Sequence, residues 1–548
     1  MASTLTSMME VNEFSADDMK KLSNFTMMVK SAGLMTKKHQ QEAILWCLNK
    51  ETDTTPVYEG VRGGLIADEM GLGKTIQVIG TMLCNPKYNT LIVLPYPLLE
   101  QWRKEIKRTT GHDVLVYHGA IRNSYTQEYI KSCPIVLTTY NTIAEKSITK
   151  ATAVRKECLL YKINWDRIVF DEAHHLRNPS TKMFKAAEKI SRGVEIRWLL
   201  TGTPIQNRRR DFYSLCEIIG ISSKHYKDEN EVKTTIASNF LLKRTKKQVN
   251  IEIPELITHP TTQVAWKNDT ERQLSADFHA ILNFSYVSPE EDADGDNSTN
   301  PRTQRDTNRE IAFLDASSRP TTLPCLMRCR QACILPKLLK NFMQKCQEEG
   351  ILDEDLTDAD LKAALEATSK MDAVVNKITE VKSRTNTTTT TTATATTPKF
   401  LIFCHFRGEI DLLRERLSDM GMTVNTLDGR TSKVSREQVL TTDNADVLIL
   451  QIQAGCEGLN LQNYNKVMFV SPHWNPAVED QAIARAWRLG QKNQVEVFRF
   501  EMENHGATSR TIDAYCTKVQ EDKREMRKIL SGAASGRRII RKPTQTPE

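Results

Sequence analysis

The sequence predicts an α/β protein of two doubly wound lobes, each with a parallel β-sheet, carrying helical insertions and joined by a linker. Three observations lead there. The chain has 548 residues, and at about 150 residues per domain it must divide into several units. Short, β-rich apolar runs alternate with amphipathic helical text in both halves. Polar stretches at 285–322 and 385–398 separate those halves.

The front runs are Gly64–Ala67, Leu91–Leu94, Ile135–Thr138, Arg167–Phe170 and Trp198–Leu200. The back runs are Phe400–Cys404, Val424–Leu427, Val447–Leu450, Val467–Val470 and Val495–Phe498. Such runs, separated by helices, suit strands covered on both faces, as in a parallel sheet. Residues 1–34 read as an N-terminal extension, 35–250 as the first lobe and 251–384 as a helical insertion. Within that insertion, 285–300 carries Glu290, Glu291, Asp292, Asp294 and Asp296 with no basic residue, a composition that cannot bury enough surface to order itself. Thr385–Pro398 is almost pure Thr; without apolar alternation it has no face to bury and reads as a linker rather than a strand. Residues 399–518 form the second lobe. The tail 519–548 holds eight Lys/Arg against four Asp/Glu, and its cluster Arg537, Arg538, Arg541, Lys542 suits nucleic-acid binding or nuclear targeting, or a solvated end.

Composition narrows the function classes. No apolar run approaches the roughly 18 residues of a membrane span, so no membrane partner is expected. Met1–Lys20 has no basic residue before Lys20, so no secretory n-region is read there and a reducing compartment is expected. The twelve cysteines are scattered and are expected as free thiols. Cys325, Cys329 and Cys333 share one helix face; zinc needs four converging ligands, so a packed apolar stripe is expected and no zinc. Net charge is mild, 75 − 68 = +7.

Two motifs carry chemistry. Asp68-Glu69-Met70-Gly71-Leu72-Gly73-Lys74-Thr75 follows an apolar run and opens a helix. Its glycines let backbone N–H groups wrap phosphates, Lys74 reaches the β/γ oxygens and the Thr75 hydroxyl can ligate Mg²⁺. Asp68 stands where the strict pattern has its first Gly, so a structural glycine turn is the competing reading. Asp171-Glu172-Ala173-His174 follows Ile168-Val169-Phe170: Asp171 can hold Mg²⁺ through water, and Glu172 can orient and deprotonate the attacking water. The bland alternative is an acidic strand-end turn.

With these motifs the sequence resembles the Swi/Snf-type ATPases of helicase superfamily two over most of residues 35–530. Gln40, six residues before Trp46, resembles the adenine-reading glutamine motif. Leu91–Pro95 with Gln101-Trp102 is similar to the next block, and Leu200–Asn207, with Thr201, Gly202 and Thr203, to the block that couples hydrolysis to lobe movement. Phe400–Phe406 and Leu427-Asp428-Gly429 match the second-lobe entry. Ala454-Gly455 with Gly458–Leu461 resembles the block touching DNA backbone and nucleotide, Gly458 being the nucleotide-side residue. Trp474-Asn475-Pro476 and the arginine block Gln481–Gln491 complete the set. Gln451, Cys456, Glu457 and Trp487 depart from the usual residues. The resemblance implies RecA-like lobes, ATP and Mg²⁺ as cofactors, and translocation on double-stranded DNA, with Gln481 in coupling. Arg485 and Arg488, at i, i+3 on a helix expected over Gln481–Gln491, would be arginine fingers. The narrower likeness, to baculoviral global transactivator proteins, implies work in transcription in a nucleus, a host's if viral, with nucleosomes or transcription machinery as candidate partners. The rival readings are a strand-separating DNA or RNA helicase and a non-catalytic DNA-binding scaffold.

Overall fold

The computed structural model describes residues 16–33, 35–144, 147–148, 155–156, 158–204, 209–226, 228, 231–280, 322–349, 359–388, 397–441, 445–455, 459–506 and 509–534. The chain divides into two compact bodies, 1–252 with 523–548, and 253–522.

The main sheet of the first body is built of β1 (Arg62–Ile66), β2 (Thr90–Leu94), β3 (Leu115–Val116), β4 (Ile135–Thr139), β5 (Arg167–Phe170), β6 (Ile196–Leu200) and β7 (Leu241–Leu242). All pair in parallel, in the order β3-β4-β2-β5-β6-β1-β7. Every front run of the sequence is a strand here; β3 and β7, two residues each, are too short to leave a periodic signal. Successive side chains alternate between faces. Leu65, Leu91, Val93, Ile168, Phe170 and Leu199 fill one core layer, while Ile66, Ile92, Leu94, Val169, Trp198 and Leu200 fill the other. Both layers are apolar, which is why the runs are continuous rather than alternating.

Helix α1 (Ala16–Ser31) buries Leu22, Phe25 and Val29 against Ile44, Leu45 and Leu48 of α2 (Lys38–Thr52) and Cys84 of α3 (Lys74–Cys84). The described part of the N-terminal extension is thus packed onto this body. At the entry of β5, Arg167 is 1% exposed. Its Nε donates to Glu51 Oε1 at 2.7 Å, and Glu51 also accepts from Trp198 Nε1 at 2.8 Å and Asn85 Nδ2 at 2.7 Å. A buried ion pair this fully hydrogen-bonded offsets its desolvation.

The second body holds β8 (Leu256–Thr258), β9 (Thr262–Val264), β10 (Phe400–Cys404), β11 (Val424–Leu427), β12 (Val447–Gln451), β13 (Lys466–Phe469) and β14 (Val495–Met502). Its sheet is also parallel, ordered β8-β14-β13-β10-β12-β11, with β9 on the far half of β14. Phe400, Ile402, Ile449, Met468 and Phe500 line one layer; Leu401, Phe403, Leu450, Val467 and Val497 line the other.

The segment expected as an insertion supplies β8 and β9 to this sheet, and helices to its core. In α6 (Thr322–Ile334) and α7 (Ser369–Thr388) the buried anchors include Cys329, Cys333, Met371, Val374 and Ile378, and Phe278 of α5 (Asp269–Ala280) packs against them. Cys329 and Cys333 are therefore apolar-core residues, Cys329 Sγ also donating to Phe278 O at 3.2 Å. Lys370 of α7 and Asp513, both fully buried, form an ion pair, and Lys370 Nζ donates to Ser471 Oγ at 2.8 Å. This ties α7 to the end of β13.

Helix α7 carries the chain into the first residues of the Thr-rich segment; 389–396 lie outside the described residues. The acidic stretch 285–300 also lies outside them, as does the basic cluster at 537–542. The expected tail boundary at 519 falls inside a helix, Ile512–Ala534. No described helix is long and apolar enough to cross a membrane.

Candidate nucleotide site

The register fixes which ends meet. Ile66 pairs with Leu200, Leu65 with Leu199, and Val93 with Phe170. The chain after β1, β5 and β6 therefore leaves the sheet at its carboxyl end, where open α/β sheets bind ligands. Asp68–Thr75, Asp171-Glu172 and Thr201–Thr203 all begin there.

The loop after β1 is a turn that only glycine permits. Gly71 has φ 91° and Gly73 φ 83°, in the left-handed region. A Cβ on Gly73 would lie 2.4 Å from Gln40 Nε2. Gly73 is the N-cap of α3, so Lys74 and Thr75 are the first helical residues, where unpaired N–H groups and the helix dipole favour an anion. Lys74 Nζ donates to Asp68 O at 2.7 Å. Leu72 is fully buried, and its carbonyl is met by Gln40 Nε2 at 3.3 Å, His39 Nε2 at 3.0 Å and Gln77 Nε2 at 3.4 Å. Gln40 Oε1 accepts from Lys37 N at 3.0 Å, so Gln40 ties the start of α2 to the loop.

The two acidic residues opening the loop are anchored. Asp68 is fully buried; Arg244 donates to it through Nη2 at 2.6 Å, Nε at 3.1 Å and backbone N at 3.0 Å, and Gln77 Nε2 at 3.0 Å. Glu69 accepts from Lys246 N at 2.8 Å, with Lys246 Nζ at 3.4 Å. Their carboxylates thus shape the loop, while its backbone faces are left for phosphate. Arg244 and Lys246 were not among the residues sequence reasoning singled out. The signal available was the basic run Lys243–Lys247 directly after an apolar pair, which becomes β7 beside β1.

Asp171 follows β5 with both carboxylate oxygens engaged: Oδ2 accepts from Trp102 Nε1 at 2.6 Å and Oδ1 from Glu172 N at 2.8 Å. Its carbonyl accepts from Tyr140 OH at 2.7 Å and its N–H donates to Val93 O at 2.9 Å. Burial, then the neighbouring Glu172 charge, push its carboxyl up to about 6, against the Trp102 and Glu172 N–H groups and the positive charge of Lys74. Glu172 sits at φ 48°, uncommon for a residue with a Cβ, and its Oε2 is 3.2 Å from His174 Nδ1.

Thr201 is fully buried; its N–H donates to Ile66 O at 3.1 Å, and its hydroxyl accepts from Thr203 N at 3.2 Å. Gly202 lies against the loop after β1, since a Cβ there would be 2.7 Å from Met70 Cε. The Thr201–Thr203 segment and the loop after β1 are thus in direct packing contact through Met70.

These residues fit a nucleotide with a divalent cation. The positive-φ glycines expose a helix N-terminus, and the Thr75 hydroxyl and Asp171 carboxylate are the hard oxygen donors Mg²⁺ takes alongside phosphate.

In the second body, Asn475 caps α8 (Pro476–Ala486): its Oδ1 accepts from Ala477 N at 3.0 Å, with Pro476 at the first helical position. Trp474 packs on Tyr515, ring centroids 5.7 Å apart. Gln481 is buried within α8 and Arg485 lies in its last turn. The expectation of a helix through Gln491 is corrected here: α8 stops at Ala486, because Trp487 takes φ −92°, ψ 80° and sends its indole N–H to Pro254 O at 2.8 Å. Arg488 therefore lies on a turn, so the i, i+3 helical argument does not apply to it. Gln491 holds that turn, donating to Gln462 O at 2.8 Å and Ala486 O at 3.1 Å, while Gln462 Nε2 donates to Leu489 O at 2.6 Å. Glu479 is taken by Arg499, 2.9 Å away. Of the departures from the usual pattern, Gln451 donates to His405 O at 3.2 Å; Gly458, with Cys456 and Glu457, lies outside the described residues.

Residues 39–333 match the SNF2-related domain, and residues 382–490 the helicase conserved C-terminal domain. The chain is similar to the DNA repair protein RAD5B of Arabidopsis thaliana, 25% identical over 87% of this chain, and spans 46% of that protein's length. It is also similar to the probable global transactivator of Orgyia pseudotsugata multicapsid polyhedrosis virus, 27% identical over 87% of this chain and 88% of the viral protein. Among solved structures, the helicase domain of Pyrococcus furiosus Hef shares the fold, with a TM-score of 0.50 and 16% identity, covering 88% of this chain and 98% of that one.

Proposed function

The chain belongs to the SNF2-related family of helicase-like ATPases, and from that premise we propose that it hydrolyses ATP to move along double-stranded DNA. The observation that carries this reading is the strand-end group of Lys74, Thr75, Asp171 and Glu172, beside a loop whose glycines sit in the left-handed region. A structural turn would not need a buried Asp171 carboxylate with a half-buried Glu172 beside it.

The loop N–H groups and the ammonium of Lys74 hold the β/γ-phosphates, and Gln40, between α2 and the loop, reports the adenine end. Thr75 and Asp171 would hold Mg²⁺, which when bound neutralises charge on the phosphates and steadies the leaving group. Glu172 orients the attacking water and takes its proton as the oxygen bonds to the γ-phosphorus and the bond to the leaving oxygen breaks. Arg485 and Arg488 stabilise the charge that builds on the transferring phosphoryl group. Gly202, packed on Met70, lets a change at the phosphates reach the Thr201–Thr203 block; Gln481 serves the same coupling in the second body, and Gly458 takes the nucleotide-side role there.

DNA is gripped mainly by phosphate, so affinity falls steeply with salt and sequence matters little. The viral and repair relatives support work in a nucleus on transcription or chromatin, with nucleosomes or transcription machinery as partners. The test is ATP turnover with no nucleic acid, duplex DNA, single-stranded DNA and RNA at one salt concentration. Greatest stimulation by duplex DNA is expected; greater stimulation by RNA would overturn the reading. Strand separation in an unwinding assay would favour the rival helicase.

A further inference from the structure

We propose that Trp102 is a positioning residue for ATP hydrolysis: its indole N–H fixes the carboxylate of Asp171 in the orientation used for the metal-bound nucleotide. This rests on the reading of Lys74, Thr75, Asp171 and Glu172 as a Mg²⁺-ATP site.

Trp102 comes from α4 (Leu99–Thr110), 69 residues before Asp171 in sequence. It is 1% exposed and packed in the core layer with Ile92, Leu98, Ile106 and Val169, which leaves the ring no freedom. A buried indole needs one acceptor, and here the acceptor is Asp171 Oδ2 at 2.6 Å rather than a carbonyl. The torsion that turns a carboxylate is broad and soft. With a single donor, Glu172 N on Oδ1, the Asp171 head group could swing. A second donor on the other oxygen, from a rigid ring, removes that freedom. The indole can only donate, so it always presents Oδ2 with a proton and leaves the remaining lone pairs for a cation. Tyr140 OH and Val93 O hold the Asp171 backbone in the same way. Every movable part of Asp171 is thus tied, and Trp102 ties the part nearest the chemistry.

Trp102→Phe keeps the ring and deletes the donor. Binding of N-methylanthraniloyl-ATP is measured by anisotropy in EDTA and in MgCl₂, for wild type and variant. The variant should bind the metal-free nucleotide as the wild type does, while its gain in affinity from Mg²⁺ shrinks by about tenfold or more, the range for losing a group that orients a metal ligand. The Mg²⁺ concentration for half-maximal turnover should rise in step. An unchanged gain from Mg²⁺ in the variant would overturn the inference and leave Trp102 as core packing. A wild type with no gain from Mg²⁺ would instead overturn the functional reading. Should the variant fail to fold, ¹H–¹⁵N spectra of the wild-type indoles decide. The Trp102 signal, identified by its shift in Asp171→Asn, should move when Mg²⁺ and nucleotide are added together and stay with nucleotide in EDTA; a signal that ignores Mg²⁺ refutes the role.

Discussion

Replacing Asp171 by Asn should make the metal-free protein more stable while abolishing turnover. The Asp171 carboxyl is raised from an ordinary 3.8 to about 6, chiefly by burial and then by the Glu172 charge. For a carboxyl with a raised folded-state pKa, the stability it contributes is present below the unfolded value and is lost as pH climbs through the folded one. At pH 8 the folded state must hold an ionised, poorly solvated carboxylate, and the gap corresponds to about 3 kcal/mol. Asn resembles the neutral acid and does not titrate, so it escapes that cost. It can still accept from Trp102, but cannot accept from both Trp102 and Glu172 N through one oxygen, which removes about 1 kcal/mol of the gain. The expected outcome in EDTA is therefore a net gain of about 2 kcal/mol at pH 8. It should hold down to about pH 6.5, shrink below that and be gone by about pH 4.5. Thermal or urea unfolding of both proteins across that range measures it. Equal or lower stability of the Asn protein at pH 8, or a gain that grows in acid, would refute the account of Asp171 as a buried charge kept against stability.

Other perturbations probe other parts. Arg244→Gln strips the fully buried Asp68 of its ion-pair partner and should destabilise by about 3–5 kcal/mol in unfolding experiments, with nucleotide affinity lost in parallel. Gly73→Ala meets both a φ of 83° and Gln40 Nε2 at 2.4 Å; nucleotide affinity, measured by anisotropy, should fall roughly tenfold or more from the left-handed strain alone. Arg488→Ala should leave nucleotide affinity within a few-fold while turnover falls by roughly 10³, the range attributed to arginine fingers; near-normal steady-state turnover would remove Arg488 from the chemistry.

The strands were legible because parallel sheets covered on both faces demand runs apolar at every position, as at Leu91–Leu94. The loop after β1 was legible because φ above zero favours glycine, as at Gly71 and Gly73; Asp171-Glu172 was marked only by two acids closing an apolar run, and the positive φ of Glu172 left no signal. What stayed hidden was partnership across distance. Asp68 looks like a displaced glycine until Arg244, 176 residues away, closes on it, and nothing local in either stretch announces the other. The end of α8 was hidden for a related reason. Arg485–Gln491 has no Pro before its Gly490, so local propensity allows a helix to continue. Tertiary contacts end it: the Trp487 indole is drawn to Pro254 O, and Gln491 reaches back to Gln462 and Ala486.

That early stop bears on what the arginine block can do. A helical Arg488 would share a face with Arg485 and move only with the whole helix. On a turn it has its own backbone geometry, held by the contacts of Gln462 and Gln491 rather than by the i to i−4 ladder. The first body uses the same device at Glu172, whose φ of 48° persists because the fixed backbone of Asp171 on one side and the short helix Ala173–Leu176 on the other leave it no alternative. In both places a group proposed for the chemistry stands just beyond a regular element, in a conformation the surrounding contacts impose. Softening those contacts should therefore affect turnover before it affects folding. Gln491→Ala, which removes the donor to Gln462 O and Ala486 O but leaves both arginines, is the substitution to make: turnover should drop while the unfolding midpoint moves little, and a loss of stability with turnover intact would show that the turn serves only the fold.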